Sequence, residues 1–375
     1  MKRFLITLHR WVGFPLGILF TLTVLSGIVT GFDDLLDMLK GYPASQVTLS
    51  DREMTLGIDI LAQRHSGARQ IALPNETQPV FTVIMRGERY VYASDLTLLH
   101  HEVSDRNGFF PFVLRLHRNY LLGRQETAGL SGAEWVAWVG LISLAISLLG
   151  IYLWWPHKRT FKLKRLVPNN NKASSYYFSH LTAGIVTVVF ILLFAITGAG
   201  ITYRAIAQSL LLPEPASQTS PAQPVYVSTG WKHAISTAKS VFPDGELVSV
   251  SISAGRRTPP EYANAAQFRF HTNGDWFGLA GSVVYIDKTN GAYLGHQAFA
   301  DYPAGQQVYE LLLPLHTGRG LTPLYLVIML TAMSLTLVMV VAGITSFVRK
   351  KSKLEKQVSR ALTSALPFIA KKSNP

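Results

Sequence analysis

Four long apolar runs constrain this chain more than any other feature. They fall at Trp11–Phe32, Ala133–Trp155, Leu181–Tyr203 and Pro323–Val348, and no charge interrupts the middle of any of them. Each has about 20 residues or slightly more, enough for a helix to cross a hydrocarbon core of about 30 Å. A lipid-exposed backbone must satisfy its own hydrogen bonds, so runs of this length read as helices. The fold class is therefore an α-helical membrane protein with four transmembrane helices. Composition agrees. Of the 375 residues, 48% are hydrophobic and 15% are charged, against roughly 25% charged in a soluble domain. That excludes an ordinary soluble enzyme and a disordered chain. The first run is too long for a signal peptide, and no small-x-small cleavage site precedes Asp33.

The formal charge of +13 is concentrated in three short segments. Lys2, Arg3 and Arg10 lie at or before the start of the first span. Lys158, Arg159, Lys162, Lys164, Arg165 and Lys172 fill the loop after the second. Arg349, Lys350, Lys351, Lys353, Lys356, Arg360, Lys371 and Lys372 follow the fourth. These segments hold 17 of the 35 basic residues and a single acid, Glu355, leaving 18 basic and 21 acidic residues elsewhere. By the positive-inside rule both termini and the middle loop face the cytoplasm, N-in and C-in. Topology accounts for the whole excess, so nucleic acid is not an expected partner and the lipid bilayer is. A multi-pass protein of a bacterial inner membrane, with its large segments periplasmic, is the natural setting.

The expected organisation is a first span over 1–32, an external segment over 33–132, a second span over 133–155 and a basic loop over 156–179. A third span over 180–203, an external segment over 204–322, a fourth span over 323–348 and a basic tail over 349–375 follow. In the first external segment Ser50 caps a helix through Arg64, with Glu53 completing a capping box, and Val80–Met85 and Arg89–Ala93 read as strands. In the second, Tyr226–Phe242 reads as a strand start and an amphipathic helix. Leu247–Ser253, Gln267–His271 and Val283–Ile286 are strands, and Asp287–Gly291 is a turn. Both segments fit small α+β modules. Pro213–Pro224 reads as a linker.

An internal repeat underlies this layout. At a constant offset of 171, His9 matches His180, Gly13 matches Gly184, and Ser26-Gly27 matches Thr197-Gly198. Leu114–Arg118 and Leu313–Thr317 form a second related pair, each with a histidine before a span. The halves run in the same direction, as a parallel repeat.

The histidines at the span ends are the main candidates for chemistry. The chain has no cysteine, which excludes disulfides, thiolate zinc sites, cysteine-ligated iron–sulfur clusters and covalent haem attachment. His9 and His180 fall at one membrane face, His117 and His316 at the other. Two imidazoles at each face suit two haem irons with axial histidines, whereas metals wanting three or four protein ligands need more groups than the repeat supplies. Gly13 and Gly184, four residues after their histidines, share a face with them and leave room for a flat macrocycle. Gly27 and Gly198, 18 residues on, return to that face after about five turns and clear room at the far end. Arg10, Arg118 and Arg319 are close enough in sequence to pair with propionates. His157 reads as a loop residue and His100 and His101 as part of an external turn. No acid–base residue is nominated as catalytic.

Several stretches resemble the PepSY-associated transmembrane family. They are Leu8–Gly13 opening the first span, Leu116–Gly123, Leu149–Pro156 closing the second span, and Asp287–Gly295 within the second external segment. The external segments look like PepSY domains, and the resemblance covers nearly the whole chain. Leu181-Thr182 stands where the first span has Arg10-Trp11, and Thr317 follows His316 where Arg118 follows His117. Members of the family are described as iron-regulated inner-membrane proteins, and some as siderophore reductases, including a ferrioxamine reductase of similar length and layout. The resemblance implies two b-type haems with bis-histidine ligation, and an oxidoreductase that reduces ferric siderophore, plausibly of the hydroxamate type. No Gly-x-Gly-x-x-Gly fingerprint is present, so a quinol or a separate reductase is the expected donor. The rival expectation is a non-enzymatic regulatory or siderophore/metal transport accessory.

Overall fold

The computed structural model describes the chain except residues 40–48, 76–78, 104–107, 124, 213–230, 253–259, 277–278, 289 and 373–375. The linker expected at Pro213–Pro224 and the strand start before Trp231 lie outside the described residues.

The first span is a helix, α1 (Lys2–Leu39), followed by α2 (Asp51–Arg64). Strands β1 (Gln70–Ala72), β2 (Phe81–Ile84), β3 (Glu88–Tyr92) and β4 (Leu98–Val103) lead to a short helix, α3 (Phe109–Asn119). The second and third spans are α4 (Gly132–Trp154) and α5 (Ala173–Thr202). Helices α6 (Arg204–Leu211) and α7 (Trp231–Val241) follow. Strands β5 (Glu246–Ser251), β6 (Ala265–His271), β7 (Ser282–Asp287) and β8 (Tyr293–Gln297) precede α8 (Ala304–Thr317) and the last span, α9 (Pro323–Lys372). Helices α1, α4, α5 and α9 each contain a stretch long and apolar enough to cross a membrane, and the four pack as a bundle.

Two of these helices outrun their apolar cores. At 1.5 Å per residue α1 is about 57 Å long, so its charged ends, from Lys2 to Arg10 and from Asp33 to Asp37, lie beyond the hydrocarbon. Helix α9 continues through the basic tail to Lys372. The basic loop is built from two short 3₁₀ turns, Trp155–Thr160 and Leu163–Arg165, and the first turns of α5. The capping box read at Ser50 and Glu53 starts α2. The same device, Ser131 with Glu134, starts α4.

The two α+β segments do not form separate sheets. Their strands make one eight-stranded antiparallel sheet in the order β4-β3-β2-β1-β5-β6-β7-β8. Its halves join where β1 pairs with β5, with Ile71 opposite Val250. The core is shared as well. Ile58 and Leu61 of α2, Phe81 of β2, Ile235 of α7 and Phe268 and Phe270 of β6 belong to one buried cluster. Helices α2 and α7 are tied by Trp231 donating its backbone N–H to Asp59 (3.0 Å) and by an ion pair of Lys239 with Asp51. Alternation puts the next residues on the other face, where Thr82, Ser249 and Gln267 are buried polar groups. On that face Arg89 of β3 reaches Asp37 at the end of α1, 3.3 Å away. The sheet is thus fixed over one end of the bundle. His100 and His101, expected in a turn, instead sit on the edge strand β4.

Candidate functional site

Four histidines enter the bundle, two at each end. At the end away from the sheet, the rings of His9 on α1 and His180 on α5 have centroids 6.1 Å apart and planes at 62°. At the sheet end, His117 on α3 and His316 on α8 have centroids 6.2 Å apart and planes at 41°. Helices α3 and α8 are short, and each is closed by a residue in the left-handed region, Tyr120 (φ 49°) and Gly318 (φ 75°). That closure turns the chain back toward the next span just after the histidine. The Tyr120 hydroxyl also shares a 2.7 Å hydrogen bond with Thr23 Oγ1, which ties α3 to α1. Along α1, His9 and Gly27 are about 27 Å apart, and Gly27 abuts His117. The two pairs therefore stand near opposite ends of the bundle.

The hydrogen bonds sort the ring nitrogens. His180 Nδ1 lies 2.9 Å from the Met339 carbonyl and His117 Nδ1 lies 3.0 Å from the Thr23 carbonyl. A carbonyl can only accept, so Nδ1 is the donor in both. His316 Nδ1 is 2.9 Å from Thr197 Oγ1, whose own proton goes to the Leu193 carbonyl, and the ring is also faced by the Phe194 carbonyl. Ser26 plays a similar part beside His117, at 3.3 Å. His9 faces the Ile146 carbonyl, but its Nδ1 forms no hydrogen bond of good geometry. Where Nδ1 is engaged by the neighbouring helix, Nε2 is left with the free lone pair.

A cavity of about 380 Å³ adjoins the His9–His180 pair. Its wall includes Gly13, Gly17, Gly150, Gly184 and Gly343, and its rim includes Arg10, Lys2, Lys350 and His157. Ser143 Oγ and His9 Nδ1 are buried beside it without partners, which is costly unless something else satisfies them. Gly13 and Gly184 line the cavity, and a Cβ there would meet Ile146 at 3.9 Å and Met339 at 3.6 Å, ordinary packing contacts. Gly27 and Gly198 differ: a Cβ at either would meet the rings of His117 (3.1 Å) and His316 (3.0 Å). They clear room for a histidine rather than for a macrocycle. Gly150 and Gly343 stand in the same relation to His9 and His180, and were missed by the sequence reading. The available signal was the paired Gly150-Ile151 and Gly343-Ile344 late in the second and fourth spans.

The arginines divide. Arg10 borders the cavity with its guanidinium 5.3 Å above the Phe347 ring. Arg319 is already held by Asp34 of α1, with contacts of 2.8 and 3.2 Å. Arg118 lies within electrostatic reach of both. Both guanidinium groups thus lie near the Asp34 carboxylate. Lys2 and Lys350, which the sequence assigned to topology alone, also reach the cavity.

The geometry suits a metal held between two imidazoles. Bonds of about 2 Å from each nitrogen to a shared metal, with each ring centre roughly 1 Å behind its nitrogen, put the centroids about 6 Å apart. Among the described residues no group of three His, Cys, Asp or Glu could hold a bare metal ion. Each pair offers two imidazole donors, so a metal there would need its remaining ligands from a bound group.

No curated protein matches this chain. The family described as the PepSY-associated TM region matches residues 6–350. That span takes in the four membrane helices up to the start of the tail, the whole sheet and all four histidines, and the chain belongs to the PepSY-associated transmembrane family.

Proposed function

We propose that this protein is a dihaem reductase of the bacterial inner membrane. It would pass electrons from the cytoplasmic face to a ferric siderophore in the periplasm and so release iron. The observation that carries the reading is the pair of two-histidine sites at opposite ends of one bundle, each with ring centres about 6 Å apart. The distribution of basic residues supports a cytoplasmic position for His9 and His180. Siderophore as the substrate class, and oxygen-ligand hydroxamates in particular, rest on the family resemblance.

A haem at each pair would supply one-electron transfer, dividing a crossing of about 30 Å into shorter steps. The chain's own residues hold and orient it. His9 with His180, and His117 with His316, would hold the two irons through their imidazoles. Arg10, joined by Lys2 and Lys350, would hold propionates at the cytoplasmic side, and Arg118 beside the Arg319–Asp34 pair at the other. The largely apolar walls of the cavity beside His9 and His180 would limit water there. Thr21 Oγ1 gives its proton to Gly17 and Thr23 Oγ1 bonds Leu19 and Tyr120, so these hydroxyls do not line a polar path through the bundle. No side chain is required to move a proton, because reducing iron weakens its grip on hard oxygen ligands by charge alone.

The test is direct. Purified protein reduced with dithionite and freed of excess reductant is mixed anaerobically with a ferric trihydroxamate and a ferrous-iron chelator. The proposal expects the chelator's ferrous colour to develop as the reduced spectrum decays, at rates well above a no-protein control. A reduced spectrum indifferent to the ferric complex would contradict the substrate assignment.

A further inference from the structure

All four imidazoles meet the neighbouring helix at the same local pattern, a backbone carbonyl with a glycine four residues later. For His117 the pair is Thr23 and Gly27, and for His316 it is Phe194 and Gly198. For His180 it is Met339 and Gly343, and for His9 it is Ile146 and Gly150. The first two pairs are related by the offset of 171, the last two by an offset of 193.

Helix geometry explains why the glycine falls at that place. The Cα–Cβ bond tilts toward the helix N-terminus, so a side chain at i+4 lies over the turn that holds the carbonyl of residue i. That carbonyl already accepts the N–H of residue i+4 and keeps a second lone pair. Glycine at i+4 leaves this lone pair bare on the helix surface. An imidazole arriving from another helix can then donate to it.

We propose that Gly27, Gly198 and Gly343 are positioning residues that bare one carbonyl each, so that the helix takes the Nδ1 proton and Nε2 is presented to the metal, and that Gly150 clears the corresponding place for the ring of His9. The inference rests on the haem reading above. Donation from Nδ1 fixes the tautomer and plane of a ligating histidine and raises its basicity. Each glycine thereby helps set the ring plane and the potential of its site.

The distances grade the effect. An added Cβ would stand 2.7 Å from His180 Nδ1 at Gly343, 3.0 Å from His316 Cε1 at Gly198, 3.1 Å from His117 Cε1 at Gly27 and 3.3 Å from His9 Cε1 at Gly150. Gly140 of α4 gives a contrast within the same bundle. Its Cβ would meet Ala195 at 3.8 Å, an ordinary helix-packing contact, with no histidine atom within 4 Å.

The test uses the full-length, detergent-purified protein. Haem is counted by pyridine haemochrome, the ferric low-spin signals are recorded by electron paramagnetic resonance, and midpoint potentials come from spectroelectrochemical titration. Gly343→Ala should displace the signal and potential of one haem and leave the other unchanged, or lose that haem so that the count falls from two to one. Gly150→Ala should keep both haems and displace the same one by less. Gly140→Ala should match the wild type. Two haems with wild-type signals and potentials in Gly343→Ala would overturn the proposal. If Gly343→Ala does not assemble, Gly150→Ala and Gly198→Ala decide, and unchanged signals in both would overturn it. A wild-type protein without haem defeats the haem reading and this proposal with it. A haem-loaded wild type with indifferent variants defeats this proposal alone.

Discussion

At the scale of residues, the features legible in the sequence are those fixed by short separations. Ser50 and Glu53 are three apart, and their reciprocal bonds form whatever the rest of the chain does. Ser50→Ala should destabilise the sheet domain by about 1 kcal/mol, measured by denaturation of the detergent-solubilised protein. The pH dependence follows from Glu53. The Ser50 hydroxyl and backbone N–H hold its carboxyl below the usual 4.5. A depressed value contributes stability above the ordinary carboxylate range and loses it as pH falls through the lowered value. The difference between wild type and Ser50→Ala should therefore be full at pH 7 and shrink in acid below about 4.5. A difference that grows on acidification would contradict this. The four histidines were visible because they recur at span ends. Gly150 and Gly343 were not, because their role depends on which helix faces which, and no local spacing encodes that.

At the scale of elements, the spans and the alternating strands were legible and the junction between the two α+β segments was not. β2, β3, β5, β6 and β7 lie within one or two residues of the runs that predict them. β1 is only three residues long, and β4 is exposed along its length, so neither carries a clear alternation. Pairing of β1 with β5 joins residues about 180 apart. Nothing in either segment alone announces it. The shared core makes a mechanical prediction. Phe268 is fully buried among residues from both segments. Phe268→Ala should cost about 3–5 kcal/mol and should lower hydrogen-exchange protection in β2 and β3 as well as in β6 and β7. Loss confined to β6 and β7 would show that the segments fold independently.

At the scale of the whole molecule, the charge distribution gives an expected direction of insertion, and the four-helix bundle carries the two histidine pairs to its opposite ends. The absence of cysteine makes the direction easy to test. A membrane-impermeant maleimide should label Lys232→Cys on the exposed face of α7 in intact spheroplasts, and Lys164→Cys in the basic loop only after lysis. The reverse pattern would invert the assignment of the two pairs to the two faces. The distance between the pairs was also legible, since 18 residues of helix separate His9 from Gly27. The ring spacing of about 6 Å within each pair was not, because it depends on α3 and α8 folding back against the bundle. The central claim is that each pair holds one haem. It is tested most directly by a pyridine haemochrome count, with oxidised and dithionite-reduced spectra, on wild type, His9→Ala and His117→Ala from haem-replete cells. The account predicts two b-type haems in the wild type and one in each variant, with a different one missing in each. A colourless wild type, or variants that keep both haems, would contradict it.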